Sequence, residues 1–209
     1  MKILFLCGSP GVGKSSIAMK LAQNDKYNII KSLTNRPKRD NDNDHIFVDK
    51  EYFNKVDLSN VAGFTKIDGY YYLSLKKQFV EDKINVYITD VSGINCVLSA
   101  LPKAEVLSVL IKRKNVYIDE KRKNRNISIP SKSDVDFVVD NDTDLKSCVE
   151  VIKLLCNTNE RAFFSSKNSK VMSTEERVQH YLHLSDVYKK LAEEHMEDLN
   201  VSIDKNYIS

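Results

Sequence analysis

"ILFLCGSPGVGKSS", residues 3–16, joins an unbroken apolar run to a glycine-rich turn and a Lys-Ser pair. An apolar run without alternation marks a strand buried on both faces. Gly8-Ser9-Pro10-Gly11-Val12-Gly13-Lys14-Ser15 fits the spacing G-x-x-x-x-G-K-[ST], and a helix is expected over 15–24. The glycines let backbone N–H groups converge on one anion, and the helix N-terminus adds a positive field. Lys14 is a compact charge for outer phosphates, Ser15 offers a hydroxyl to Mg²⁺, and Ser16 follows in the first helical turn. Taken alone, the stretch implies a site for a nucleoside triphosphate with Mg²⁺.

Outward from this loop, apolar segments over 27–31, 85–90, 104–111 and 136–139 read as strands. Segments 49–55, 74–82, 92–100 and 142–156 read as helices, with Asp49 capping the first and Asp142 or Thr143 the last. Residues 64–73 read as strand and turn with Gly69 at the bend, and 32–44 as a polar, Pro-interrupted loop. Strands alternating with helices predict an α/β fold with a mostly parallel sheet covered on both faces. Beyond Cys156 the composition turns polar over 157–172, like a linker. Ser173-Thr174-Glu175-Glu176 then matches a helix-capping box ahead of one apolar stripe. That C-terminal helix can dock on the core or form a homodimer, and docking is the simpler expectation. His180 and His183 on it read as surface residues, because no fourth metal ligand is evident.

Apolar residues make up 42% of the 209, enough for a real core, and charged residues 29%. A net charge of +3 does not call for a nucleic-acid partner. Cys7, Cys96, Cys148 and Cys156 are scattered in apolar segments without a C-x-x-C pair, so disulfides and zinc are not expected and the protein reads as reduced and cytoplasmic. The apolar start is too short for a signal sequence or a membrane span and leads straight into the glycine loop. The strings "NKVD" (54–57) and "DVSG" (90–93) suggest a GTPase, but they stand in reversed order and "NKVD" ends a short helix.

"KSLTNRPKRD", residues 31–40, places four cationic residues in ten positions soon after the phosphate loop. Arginine suits bidentate capture of a phosphate, and Arg36 and Arg39 lie three apart on a Pro-fixed loop. By itself the stretch reads equally as a solvated basic loop. In order along the chain come the glycine loop, "SLTNRPKR", "HIF" (45–47), "GYYYLS" (69–74), "ITDVSG" (88–93) and "DFVVDNDTDLKSCVEVIKLL" (136–155). This ordered set, over about residues 1–156, resembles the guanylate kinase family.

The resemblance implies a P-loop kinase domain over 1–156, with an acceptor-nucleotide subdomain about 32–84 and a reduced lid about 112–134. A linker and helix occupy 157–209. It implies ATP and Mg²⁺ as cosubstrate and metal, small-molecule nucleotides as partners, and phosphorylation of a nucleoside monophosphate, GMP or dGMP first. Ser32, Arg36, Arg39, His45, Tyr72 and Ser74 then line the acceptor site, with Asp90 near the acceptor and, with Ser15, near the metal. Lys14, Arg36, Arg39, Arg122 and Arg125 would neutralise charge in the transition state. The chain departs from the family at His45, where a Tyr is usual, and in a shorter loop whose acidic residue matches Asp42 loosely. It departs again at Gly63, where the family has a base-reading Glu that Asp68 nearby would have to replace. Two other readings stay open: a kinase of another deoxynucleotide or nucleic-acid base, and a binding module without catalysis.

Overall fold

A computed structural model of the chain describes residues 1–40, 42–116, 129–142, 144–157 and 164–165. Strand β1 (Lys2–Cys7) lies at the centre of a six-stranded sheet. It pairs in parallel with β7 (Ile84–Ile88) on one side and β8 (Glu105–Lys112) on the other. β7 pairs in parallel with β2 (Tyr27–Ile30), and β8 with β9 (Phe137–Asp140). The short β10 (Phe164–Ser165) adds antiparallel to the start of β8. Alternation along β1 splits the core into two layers. Leu4 and Leu6 pack with helix α1 (Lys14–Leu21) and helix α4 (Leu145–Asn157), while Ile3, Phe5 and Cys7 pack on the face that carries helix α3 (Val91–Ala100).

A second sheet carries the segment between β2 and β7. Its order is β4 (His45–Phe47), β3 (Ser32–Thr34), β6 (Tyr70–Leu75), β5 (Val61–Ile67). The β5–β6 hairpin turns at Asp68 and Gly69, both with positive φ, as the bend at Gly69 foretold. Helix α2 (Lys50–Lys55) is capped by Asp49, which accepts from Tyr52 N–H.

Three expectations fail for identifiable reasons. Residues 32–44 are not all loop, because β3 finds partners in β4 and β6 that no local signal announces. The helix expected over 74–82 is the end of β6 followed by one 3₁₀ turn, Lys76–Gln78. Tyr-Tyr-Tyr-Leu-Ser-Leu favours a pleated surface, and Gln78 closes the turn by accepting from Leu75 N–H and donating to Lys31 C=O. Asp144, not Asp142, caps α4 through Ser147 N–H, since Asp142 accepts from Lys114 N–H. Thr143, like the C-terminal helix and most of the lid, lies outside the described residues. Among the described residues no helix is long and apolar enough to cross a membrane.

Candidate functional site

Ligands of open α/β sheets bind beyond the carboxyl ends of the strands. Here those ends deliver Gly8 after β1, Ser32 after β2, Asp90 after β7 and Asn141 after β9. A cleft of about 270 Å³ runs from Gly8, Lys14 and Ser15 to Arg36, Arg39, Ser32, His45, Tyr72 and Asp90. The two cationic clusters, separate in sequence, therefore face one space.

The glycine loop has φ of +136° at Gly8 and +99° at Gly13. A Cβ at Gly8 would meet Ile111 C=O at 2.4 Å, and one at Gly13 would meet Asn141 Nδ2 at 2.4 Å. Both positions require glycine for hand and for room. Lys14 Nζ donates to the carbonyls of Gly8 and Ser9 at 2.7 and 2.8 Å, so its charge is held over the loop. Asn141 donates to Val12 C=O at 2.8 Å and braces the loop from β9. Pro10 and Gly11 line the cleft, Val12 turns its side chain into the core, and Ser16 is exposed on α1.

Arg36 is 6% exposed. Its Nε donates to the Tyr72 hydroxyl at 3.0 Å, its Nη2 to Asp42, and its Nη1 to Pro37 C=O at 2.9 Å. Burial works to lower the Arg36 pKa, but the Asp42 hydrogen bond and charge, with the Tyr72 hydroxyl accepting beside it, outweigh it, so the guanidinium stays charged. Burial alone would raise Asp42, yet Arg36 and then His45 hold it below the usual carboxylate range. His45 Nδ1 lies 3.3 Å from Asp42 Oδ1, and its ring meets Tyr72 edge-on at 5.5 Å. Burial pushes His45 below its ordinary value, only partly offset by Asp42. The loose match of Asp42 to an acidic position thus lands on the residue that orients Arg36.

Asp90 caps α3 by accepting from Gly93 N–H at 2.9 Å, and its other oxygen accepts from Thr65 Oγ1 at 2.9 Å. Ser15 and Asp90 line the same cleft, an all-oxygen pair of the kind Mg²⁺ takes with phosphate oxygens and water. Among the described residues no group of three or more His, Cys, Asp or Glu could hold a metal by itself. Cys7 is an inert thiol, pushed by burial to about 12 against the opposing Lys14 charge. Asn85, fully buried in β7, is satisfied by Lys2 and Val80 carbonyls and reads as a structural polar node.

Ser32 and Tyr72 reach the cleft wall, while Ser74 is fully buried behind it. Asp68 sits in the β5–β6 turn, outside the cleft lining, and so does not stand in for a carboxylate at Gly63. "NKVD" ends α2, and its Asp57 accepts from Ser59 in an exposed turn, away from the cleft. Arg122 and Arg125 lie outside the described residues. Sequence reading missed Thr65, Tyr87, Thr89 and Asn141. Tyr87, a polar-tipped ring inside the apolar run Ile84–Ile88, was the available signal.

No known protein family matches the sequence, and no curated protein does. Among solved structures, the guanylate kinase from Anaplasma phagocytophilum superposes with a TM-score of 0.59 at 18% identity, over 77% of this chain and 86% of that one. The chain therefore has a mixed α/β fold, a mostly parallel sheet flanked by helices, that matches a P-loop kinase fold like that of guanylate kinase.

Proposed function

We propose that the protein transfers the γ-phosphate of ATP to a nucleoside monophosphate, GMP or dGMP foremost. The observation that carries this reading is the single cleft joining the Gly8–Ser15 loop to Arg36 and Arg39. The loop and Lys14 hold the ATP phosphates, and the two arginines hold the monophosphate. A monophosphate is mostly dianionic near neutral pH, because its second pKa is about 6. Its oxygen attacks the γ-phosphorus, the bond to the β,γ-bridging oxygen breaks, and ADP leaves with that electron pair. No proton has to be removed first, so the absence of a catalytic His or thiolate among the described cleft residues fits the chemistry. What the reaction needs is alignment and neutralisation of like charge, which cations supply. Ser15 and Asp90 would hold Mg²⁺ together with the phosphate oxygens, and the ion would supply positive charge to the transition state.

A kinase of another nucleoside monophosphate is the second reading, favoured by the lack of a side chain at Gly63. ADP formation measured with ATP and each of GMP, dGMP, AMP, dTMP and dCMP tests both. The expected result is turnover that depends on the monophosphate and is highest with a guanine nucleotide. A pyrimidine preference favours the second reading. ADP formation equal with and without acceptors would overturn both.

A further inference from the structure

At Gly63, on β5 facing Ser74 of β6, a side chain would be crowded by two neighbours. A Cβ there would stand 2.9 Å from Ser74 Oγ and 3.1 Å from both Cε1 and the hydroxyl of Tyr87. Tyr87 fills that space from β7, is 1% exposed, and is wedged between Phe5 and Phe79 with ring centroids at 6.5 and 6.2 Å. Its phenol is surrounded by the hydroxyls of Ser32, Ser74 and Thr89. Of these, only Ser32 makes a well-formed bond to it, a long one of 3.4 Å. Among the described residues, Ser74 Oγ and Thr89 Oγ1 are buried beside the phenol without a well-formed hydrogen bond. Gly93 clears the ground for Thr89, since a Cβ there would fall 1.8 Å from Oγ1.

Buried hydroxyls left this way are rare and call for a reason. Ser32, Tyr87 and Thr89 line the cleft, so a bound base can satisfy these three. The nearby carboxylates are committed elsewhere: Asp42 to Arg36 and His45, Asp90 to Gly93 N–H and Thr65. Asp40 and Asp44 also line the cleft, from the segment that carries Arg39. We propose that the acceptor base is read by this wall of uncharged hydroxyls, with Tyr87 as its specificity-determining residue, and that the site discriminates only weakly between 6-oxo and 6-amino purine monophosphates. The inference rests on the monophosphate-kinase reading. A carboxylate accepts only, and so selects guanine's N–H edge. A hydroxyl rotates to donate or accept, and so meets guanine O6 or the adenine amino group with little penalty.

The test is kcat/KM for GMP, IMP and AMP with the wild type, Tyr87→Phe and Ser74→Ala, paired with calorimetric binding of each monophosphate alone. Ser74→Ala removes a hydroxyl without a well-formed bond and guards against a folding defect in Tyr87→Phe. The wild type should separate the three acceptors by less than about a thousandfold, since rejection of a near-isostere without a dedicated polar partner is weak. Tyr87→Phe should shift the ratios between acceptors by about two- to tenfold, the worth of one neutral hydrogen bond, and Ser74→Ala, which acts only through Tyr87, should shift them the same way by less, with KM for ATP unmoved by either. A wider separation in the wild type, equal effects on all three acceptors, or no binding of any of them would overturn the proposal. If no acceptor is turned over, the kinase reading fails, while the binding ratios still judge the hydroxyl wall.

Discussion

Gly63→Ala is a small change with a calculable cost. The residue lies in β5 at a register irregularity, but its φ is outside the left-handed region, so alanine meets no penalty of hand. Removing glycine from a strand should by itself stabilise by about 0.5–1 kcal/mol. The new Cβ, however, falls within 3.1 Å of Tyr87 and 2.9 Å of Ser74 Oγ. Ser74 can turn its hydroxyl away, but Tyr87 is held by Phe5 and Phe79 and has no slack. Overpacking of this kind costs about 1–3 kcal/mol. With the middle of each range the net expectation is a loss of about 1 kcal/mol, or about 2–4 °C in Tm for a chain of this size. Urea unfolding followed by circular dichroism reads it. Combining the change with Tyr87→Phe removes the hydroxyl contact but leaves Cε1, so the double variant should regain part of the loss and show positive coupling. A Gly63→Ala variant as stable as the wild type, or more so, would refute the claim that Tyr87 occupies the space a residue-63 side chain would need.

Lys14→Ala should lower kcat by about two to four powers of ten with the fold intact, because charge between the phosphates loses its partner; near-normal turnover would remove Lys14 from the chemistry. Arg39→Ala should raise KM for the monophosphate far more than KM for ATP, and Arg36→Ala should do the same. The second also leaves the Asp42 carboxylate without its cation, at a cost in stability of about 3 kcal/mol that Asp42→Asn in the same chain relieves; equal effects on both KM values would place the arginines elsewhere. The folded pKa of His45 lies below its ordinary value, so the unfolded chain takes the proton first. Its contribution to stability is full above about pH 6.5 and falls as pH drops below that, whereas the Asp42 window lies lower, under about pH 4. His45→Gln should therefore flatten the stability loss between about pH 7 and about pH 5, and an unchanged slope in urea midpoints would contradict the assignment.

Much of this was legible in the sequence because it was local. The loop, its strand and its helix are fixed by one contiguous pattern, and the order of the later motifs singled out the segment that folds as the second sheet. What stayed hidden depends on contacts between distant segments. β3 and β4 are three-residue strands that exist only as pairs. The brace from Asn141 to Val12 spans 129 positions. The vacancy at Gly63 could be seen as a missing carboxylate, but its cause could not, since Tyr87 fills the place from another sheet. Tyr87 also reads as core in a strand of apolar residues, and only its packing shows the hydroxyl aimed at Ser32.

The central claim is transfer between two nucleotides in one cleft. ATP labelled in its γ-phosphate, incubated with the full-length protein, Mg²⁺ and a purine monophosphate, tests it directly. The label should appear in the nucleoside diphosphate made from the acceptor, one label per ADP formed, with little inorganic phosphate. Label released as inorganic phosphate at the same rate with and without the monophosphate would contradict it.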